Sequence, residues 1–167
     1  MLRIIATALS LALLPAMASA ADLTGAWVRD NSQSDTVPSS MYWLTRGVDA
    51  GGTRGPSGQA VVIELEQTAA GLKVRDPARP ERNYVLDGVA RTVPADTGVT
   101  EASVTATKVG DAVVVRTRQP YAGLPGNIEV TVEETWTPSA DGQSVTLTTI
   151  RETPARRDAY TETFKRQ

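Results

Sequence analysis

Apolar and polar residues alternate along most of this chain with a period of two. Val61, Ile63 and Leu65 alternate with Glu64 and Glu66, and Ile128, Val130 and Val132 with Glu129, Thr131 and Glu133. Each run therefore has one apolar and one polar face, the pattern of a half-buried strand. Nine runs are predicted as strands: residues 23–30, 60–67, 72–76, 83–87, 103–109, 112–118, 127–137, 143–152 and 158–165. Ala70-Gly71, Asp87-Gly88, Gly110-Asp111 and Asp141-Gly142 stand between them and offer the positive-φ positions that tight hairpins use. No window from 60 to 167 carries a 3.6-residue period over three turns. Prolines at 77, 80, 94, 120, 125, 138 and 154 fall mostly between the runs, so helix is expected to be scarce. The expected fold is all-β: an antiparallel meander of about eight to ten strands closed into an up-and-down barrel, which removes exposed strand edges. A two-sheet β-sandwich is the alternative.

Two segments depart from the alternation. Residues 31–58 are rich in Ser, Gly, Pro, Asp and Thr but carry Met41, Tyr42, Trp43 and Leu44 at their centre. They are too long for an ordinary connection. They are expected to form a long loop, or a short helical turn, over one end of the barrel. Residues 1–20 begin Met1-Leu2-Arg3, continue as an uncharged Ala/Leu/Ile-rich stretch and end in Ala18-Ser19-Ala20, the pattern of a secretory signal cleaved after Ala20. The remaining residues, 21–167, are expected to form a single barrel domain. The predicted location is the periplasm or medium of a Gram-negative bacterium, since a cysteine-free exported chain is common there.

Composition narrows the chemistry further. Between positions 101 and 153, eight Val and ten Thr reinforce the strand assignment. The chain has no Cys and no His, which excludes disulfides, thiolate nucleophiles, Cys/His zinc sites, Ser-His-Asp triads and imidazole acid–base catalysis. No cofactor or metal is expected. With Arg3 gone from the 17 Lys+Arg, 16 remain against 19 Asp+Glu, a net −3. The basic runs 79–82 and Arg156-Arg157 lack interleaved aromatics and read as solvated turns, so no nucleic-acid partner is expected. Gly51 to Gly58 has neither the helix nor the Lys-Ser/Thr ending of a phosphate-cradling loop. Asp22, Asp30, Asp35 and Asp49 lack calcium-loop spacing. No membrane span is expected; aromatic girdles are missing, as is the C-terminal aromatic of an outer-membrane barrel.

Gly25-Ala26-Trp27 resembles the G-x-W signature of the lipocalins. In that family the glycine allows close packing, the tryptophan plugs the closed end of the barrel, and an arginine near the C-terminus stacks over it. The resemblance implies that Gly25 and Trp27 are structural and that Arg151 or Arg166 is the stacking cation. More broadly, this motif, then Tyr84-Val85-Leu86-Asp87-Gly88, then Trp136-Thr137 leading to Ser139-Ala140-Asp141-Gly142, looks like secreted bacterial lipocalin-like proteins. The resemblance implies a calycin-like barrel.

The alternation also carries charge onto the apolar side. If Val130, Val132 and Trp136 face inward, so does Glu134; on the next strand Val145, Leu147 and Thr149 bring Arg151 inward as a diagonal neighbour of Glu134. Glu162 follows by the same logic between Tyr160 and Phe164. A buried carboxylate needs a partner or shifts its pKa. This cluster is a structural ion pair, a wet mouth or a polar anchor for a ligand.

The leading functional expectation is an exported protein that binds a small apolar ligand, with Tyr42, Trp43, Tyr84, Trp136, Glu134 and Arg151 as candidate ligand-binding residues. The alternative is an envelope interaction, inhibitor or structural module with a side-chain-filled barrel. It would meet an envelope protein partner through Tyr121-Ala122-Gly123-Leu124-Pro125 or residues 41–44. An enzyme is less expected than either of these. It would be a carboxylate-dependent isomerase or hydrolase using Glu134 or Glu162 beside Arg151.

Overall fold

The structure is a computed structural model that describes residues 22–35, 61–77, 81–94, 101–120 and 129–167. Ten strands make it up: β1 (Gly25–Arg29), β2 (Val62–Gln67), β3 (Gly71–Arg75), β4 (Arg82–Val85), β5 (Arg91–Pro94), β6 (Glu101–Val109), β7 (Ala112–Pro120), β8 (Glu129–Pro138), β9 (Ser144–Thr153) and β10 (Arg156–Arg166). All pairings are antiparallel and form one sheet, ordered β4-β3-β2-β1-β10-β9-β8-β7-β6-β5. One continuous curled sheet is the predicted meander and excludes the sandwich. No helix occurs among the described residues.

The nine predicted strands each match an observed one. The tenth, β5, was missed because all four of its residues are exposed, so no apolar alternation marks it. Two turns differ from expectation. Gly88, Gly110 and Gly142 take positive φ, whereas Gly71 does not and opens β3 instead. Asp87-Gly88 also joins no hydrogen-bonded hairpin. There the chain leaves β4, which pairs with β3, and crosses to β6: Asp87 bridges Thr107 and Gly88 N donates to Ala106 O at 2.9 Å. β5 then pairs with the other end of β6. Residues 82–94 thus bring the two ends of the sheet order together, and the sheet curls on itself.

Curling gives the sheet an inner face, where the alternating apolar residues meet. Leu23, Trp27, Ile63, Leu65, Leu72, Val74, Ala106, Val113, Val115, Trp136, Val145, Leu147 and Phe164 form one buried cluster drawn from eight strands or their flanks. Burying a Leu, Val or Phe side chain stabilises by about 1.5–3 kcal/mol, so this cluster is the main cohesive element. The long hairpins β6 to β10 supply most of the sheet. Their registers put inner residues in rows: Val113, Trp136, Leu147 and Glu162; then Val115, Glu134, Thr149 and Tyr160; then Thr117, Val132, Arg151 and Asp158.

Candidate functional site

One end of the barrel is closed by apolar side chains around Trp27. Asp22 Oδ1 accepts from Thr24 N at 3.0 Å, and Leu23 N donates to Gln67 Oε1 at 3.0 Å, fixing the entry to β1 against the end of β2. Leu23 O in turn accepts the Trp27 indole N–H at 2.8 Å, so this buried donor is satisfied. Arg166 lies over the Trp27 ring, its Cζ 4.4 Å from the centroid, and donates to Gly142 O at 2.8 Å and Thr24 O at 3.1 Å. The stacking cation is therefore Arg166; Arg151 lies elsewhere. Gly25 has φ 148°, and a Cβ there would stand 2.8 Å from Arg166 Nη1. Glycine leaves the space the guanidinium uses.

Above this floor the same inner face turns polar. Glu162 is fully buried and pairs with Arg29, whose Nε lies 2.9 Å from Glu162 Oε1. The two are diagonal neighbours, since Arg29 stands opposite Phe164. Arg29 Nη2 also donates to Asp35 O at 2.9 Å, and residues 30–35 are held along β10 by bonds of 2.8 Å from Asp30 N to Thr163 O and from Asp35 N to Thr161 O. Arg82 stands opposite Val74 on β3 and so points inward. Its Nη1 lies 3.2 Å from Glu134 Oε2 and 3.5 Å from Oε1. Because β4 begins the sheet order and β8 is seventh in it, this pair spans the interior. Arg151 faces Asp158 directly across β9 and β10, Nη1 to Oδ2 3.5 Å, and Arg156 Nε reaches Asp158 Oδ1 at 2.5 Å. Gln119, opposite Val130, and Asp76, in alternation with Leu72 and Val74, are also buried.

Glu134 and Arg151 do share the inner face, in the predicted diagonal register, but each takes a different partner: Glu134 the cross-barrel Arg82, Arg151 its direct neighbour Asp158. Sequence reasoning placed Arg82 in a solvated turn; it is only 15% exposed. Long side chains of non-adjacent strands meet across a curled sheet, a contact that strand periodicity does not encode. The available signals were Arg82 two positions before Tyr84 and Arg29 two after Trp27, the inward phase in both cases. Trp136 belongs to the apolar floor, and Tyr84 packs half-buried against it, opposite Leu72 and with Arg82 Cζ 6.0 Å from its ring. Tyr42, Trp43 and the two apolar segments at 41–44 and 121–125 lie outside the described residues. Trp136 Nε1, Thr149 Oγ1 and Arg151 Nε are inward polar atoms with no hydrogen-bond partner among the described residues.

The outer face is charged and open. Arg75 donates to Glu81 at 2.9 Å and to Glu66 at 2.7 Å, and these bonds hold both carboxyls below their ordinary range. Nearby, Val62, Glu64, Arg75, Asp76, Pro77 and Glu81 border a groove of about 430 Å³. Among the described residues no group of three or more His, Cys, Asp or Glu is placed to hold a metal ion, and no helix is long and apolar enough to cross a membrane.

A floor plugged by Trp27, a guanidinium over that tryptophan, and an up-and-down meander of ten strands define a small β-barrel of the lipocalin-like kind. Two solved structures share this architecture. One is a secretory abundant heat soluble protein of Ramazzottius varieornatus, 11% identical with a TM-score of 0.56, covering 87% of this chain and 95% of that one. The other is a zebrafish ileal bile acid-binding protein complexed with cholic acid, 13% identical with a TM-score of 0.56, covering 89% of this chain and 100% of that one. No protein-family model matches the sequence, and no curated protein does.

Proposed function

We propose that this protein is an exported carrier that holds a small, largely apolar molecule inside its barrel. The observation that carries the reading is the inner face of β8 and β9. There the Trp136 indole, the Thr149 hydroxyl and the Arg151 Nε are buried beside an apolar floor without partners among the described residues. An unpaired buried donor costs about 1–3 kcal/mol, and three on one strip are accounted for if a guest accepts from them. The likeness to a bile acid-binding protein complexed with cholic acid supports the same reading at the level of the fold. Cleavage after Ala20 would deliver the carrier to the periplasm or medium. Titration with the apolar fluorophore N-phenyl-1-naphthylamine tests it: saturable binding at one site, with quenching of the barrel tryptophans, is expected. No saturable binding by the full mature chain would sink the reading. Export is checked separately, by a periplasmic product whose mass begins at Ala21.

One observation favours a second reading. The Arg82–Glu134 pair crosses the interior, as it would in an envelope module whose barrel is filled by its own side chains. That reading predicts a partner protein recovered from the envelope and no bound small molecule.

A further inference from the structure

We infer that the guest is an uncharged, oxygen-bearing lipid, such as a long-chain alcohol or ester, and that ionised carboxylates are rejected. The inference rests on the carrier reading and concerns what the interior selects. Four carboxylates lie on or at the edge of the inner face, those of Asp76, Glu134, Asp158 and Glu162, all buried. Three guanidiniums accompany them. Arg29 is engaged by Glu162, Arg82 by Glu134 and Arg151 by Asp158. Each inward cation on the described strands thus already has an internal counter-ion. Among the described residues, a guest carboxylate would bring a further negative charge to a face whose cations are already matched by carboxylates, and removing such a charge from water is unfavourable unless it is paired.

What the interior does offer is hydrogen-bond donation. The indole N–H and the guanidinium Nε–H can only donate, and the Thr149 hydroxyl can donate or accept. Their residues occupy three successive inner rows: Trp136 opposite Leu147, then Thr149, then Arg151 two residues further along β9. Steps of two residues along a strand put roughly 7 Å between rows. One oxygen cannot serve all three donors. The strip fits an extended apolar molecule with neutral oxygens along or at the end of its length, a hydroxyl or ester carbonyl accepting from the indole and from Thr149.

The test compares three guests of one chain length, dodecanol, methyl laurate and laurate, at pH 8, by displacement of N-phenyl-1-naphthylamine from the mature protein. Dodecanol and methyl laurate are expected to bind about tenfold or more tighter than laurate. Glu134→Gln, which takes the carboxylate away from Arg82, should raise laurate affinity and narrow that gap, while the outer-face Glu133→Gln leaves it unchanged. Should Glu134→Gln not fold, Thr149→Val carries the test. It removes one donor without changing charge, and should weaken dodecanol about threefold or more while sparing laurate. Laurate binding the wild type as tightly as dodecanol would overturn the inference and leave the carrier reading standing, as would dodecanol binding unaltered by Thr149→Val. If neither the fluorophore nor any of the three binds, the carrier reading fails and takes the inference with it.

Discussion

The two halves of the barrel interior use the same strands and the same alternation, yet they are stabilised differently. In the floor, Leu23, Trp27, Trp136 and Phe164 are fully or almost fully buried, and the one polar tip of Trp27 is satisfied by a neighbouring carbonyl. Above it, β4, β8, β9, β10 and β1 contribute ion pairs to the same face. An apolar floor gains from burial in proportion to area. A buried ion pair roughly offsets its own desolvation cost, but removing one member leaves an uncompensated charge. The floor therefore supplies net stability, while the polar half supplies specificity of arrangement.

The largest effect should come from the floor. Trp27→Ala removes the plug, empties a volume bounded by Leu23, Ile63 and Phe164 and leaves Arg166 without its ring; about 3–5 kcal/mol is expected from cavity formation. Urea denaturation checks this, and a loss under about 1 kcal/mol would show that Trp27 is not the floor's keystone.

Next comes Glu162→Ala in the polar half. Glu162 is wholly buried and Arg29 only 15% exposed, so the orphaned guanidinium should cost about 3 kcal/mol. Glu133→Ala is the outer-face control. Glu133 bonds Arg116 on the open surface, and its loss should cost no more than about 1 kcal/mol. Equal losses in the two variants would erase the distinction between inner and outer charge on which the comparison depends.

How far each half could be foreseen follows from the same contrast. The floor obeys rules that are local in sequence: Trp27 sits in Gly25-Ala26-Trp27, and Val145, Leu147 and Phe164 fall on a period of two. Glu134, Arg151 and Glu162 were placed inward by that period as well, and the β8–β9 register matched. Their partners were not foreseeable in the same way, because Arg82 and Glu134 are 52 residues apart and meet only when the sheet curls. β5 left no trace either, since a fully exposed edge strand needs no apolar face. Periodicity reports which face a residue takes; it is silent on what stands opposite it across a barrel.

Gly25→Ala probes the boundary of the floor with a smaller effect. At φ 148° a residue with a Cβ is strained, and the added methyl would drive Arg166 from the Trp27 ring. The expected loss is roughly 1–3 kcal/mol, and it should not add fully to that of Arg166→Ala, since both act on one contact. Full additivity in that double-mutant cycle would separate the glycine from the stacking cation.

The smallest effect should lie outside both halves, where β1 ends. Asp30 is held at a pKa of about 2, chiefly by its bond to Lys165 and then by Ser32, with Lys165 Nζ 2.7 Å from Oδ2. An unfolded aspartate titrates near 3.9, so the folded pKa is depressed. The stabilisation is complete above about pH 4 and disappears as pH falls towards 2. Asp30→Asn should therefore be slightly less stable than wild type at pH 6, and the two urea midpoints should converge on acidification through that window. Added salt should shrink the gap at pH 6, because Lys165 is exposed and its attraction is screened. A gap that is independent of both pH and salt would mean that Asp30 acts through its backbone-capping bond to Ser32 N, at 2.9 Å, and that charge at this rim contributes nothing to the fold.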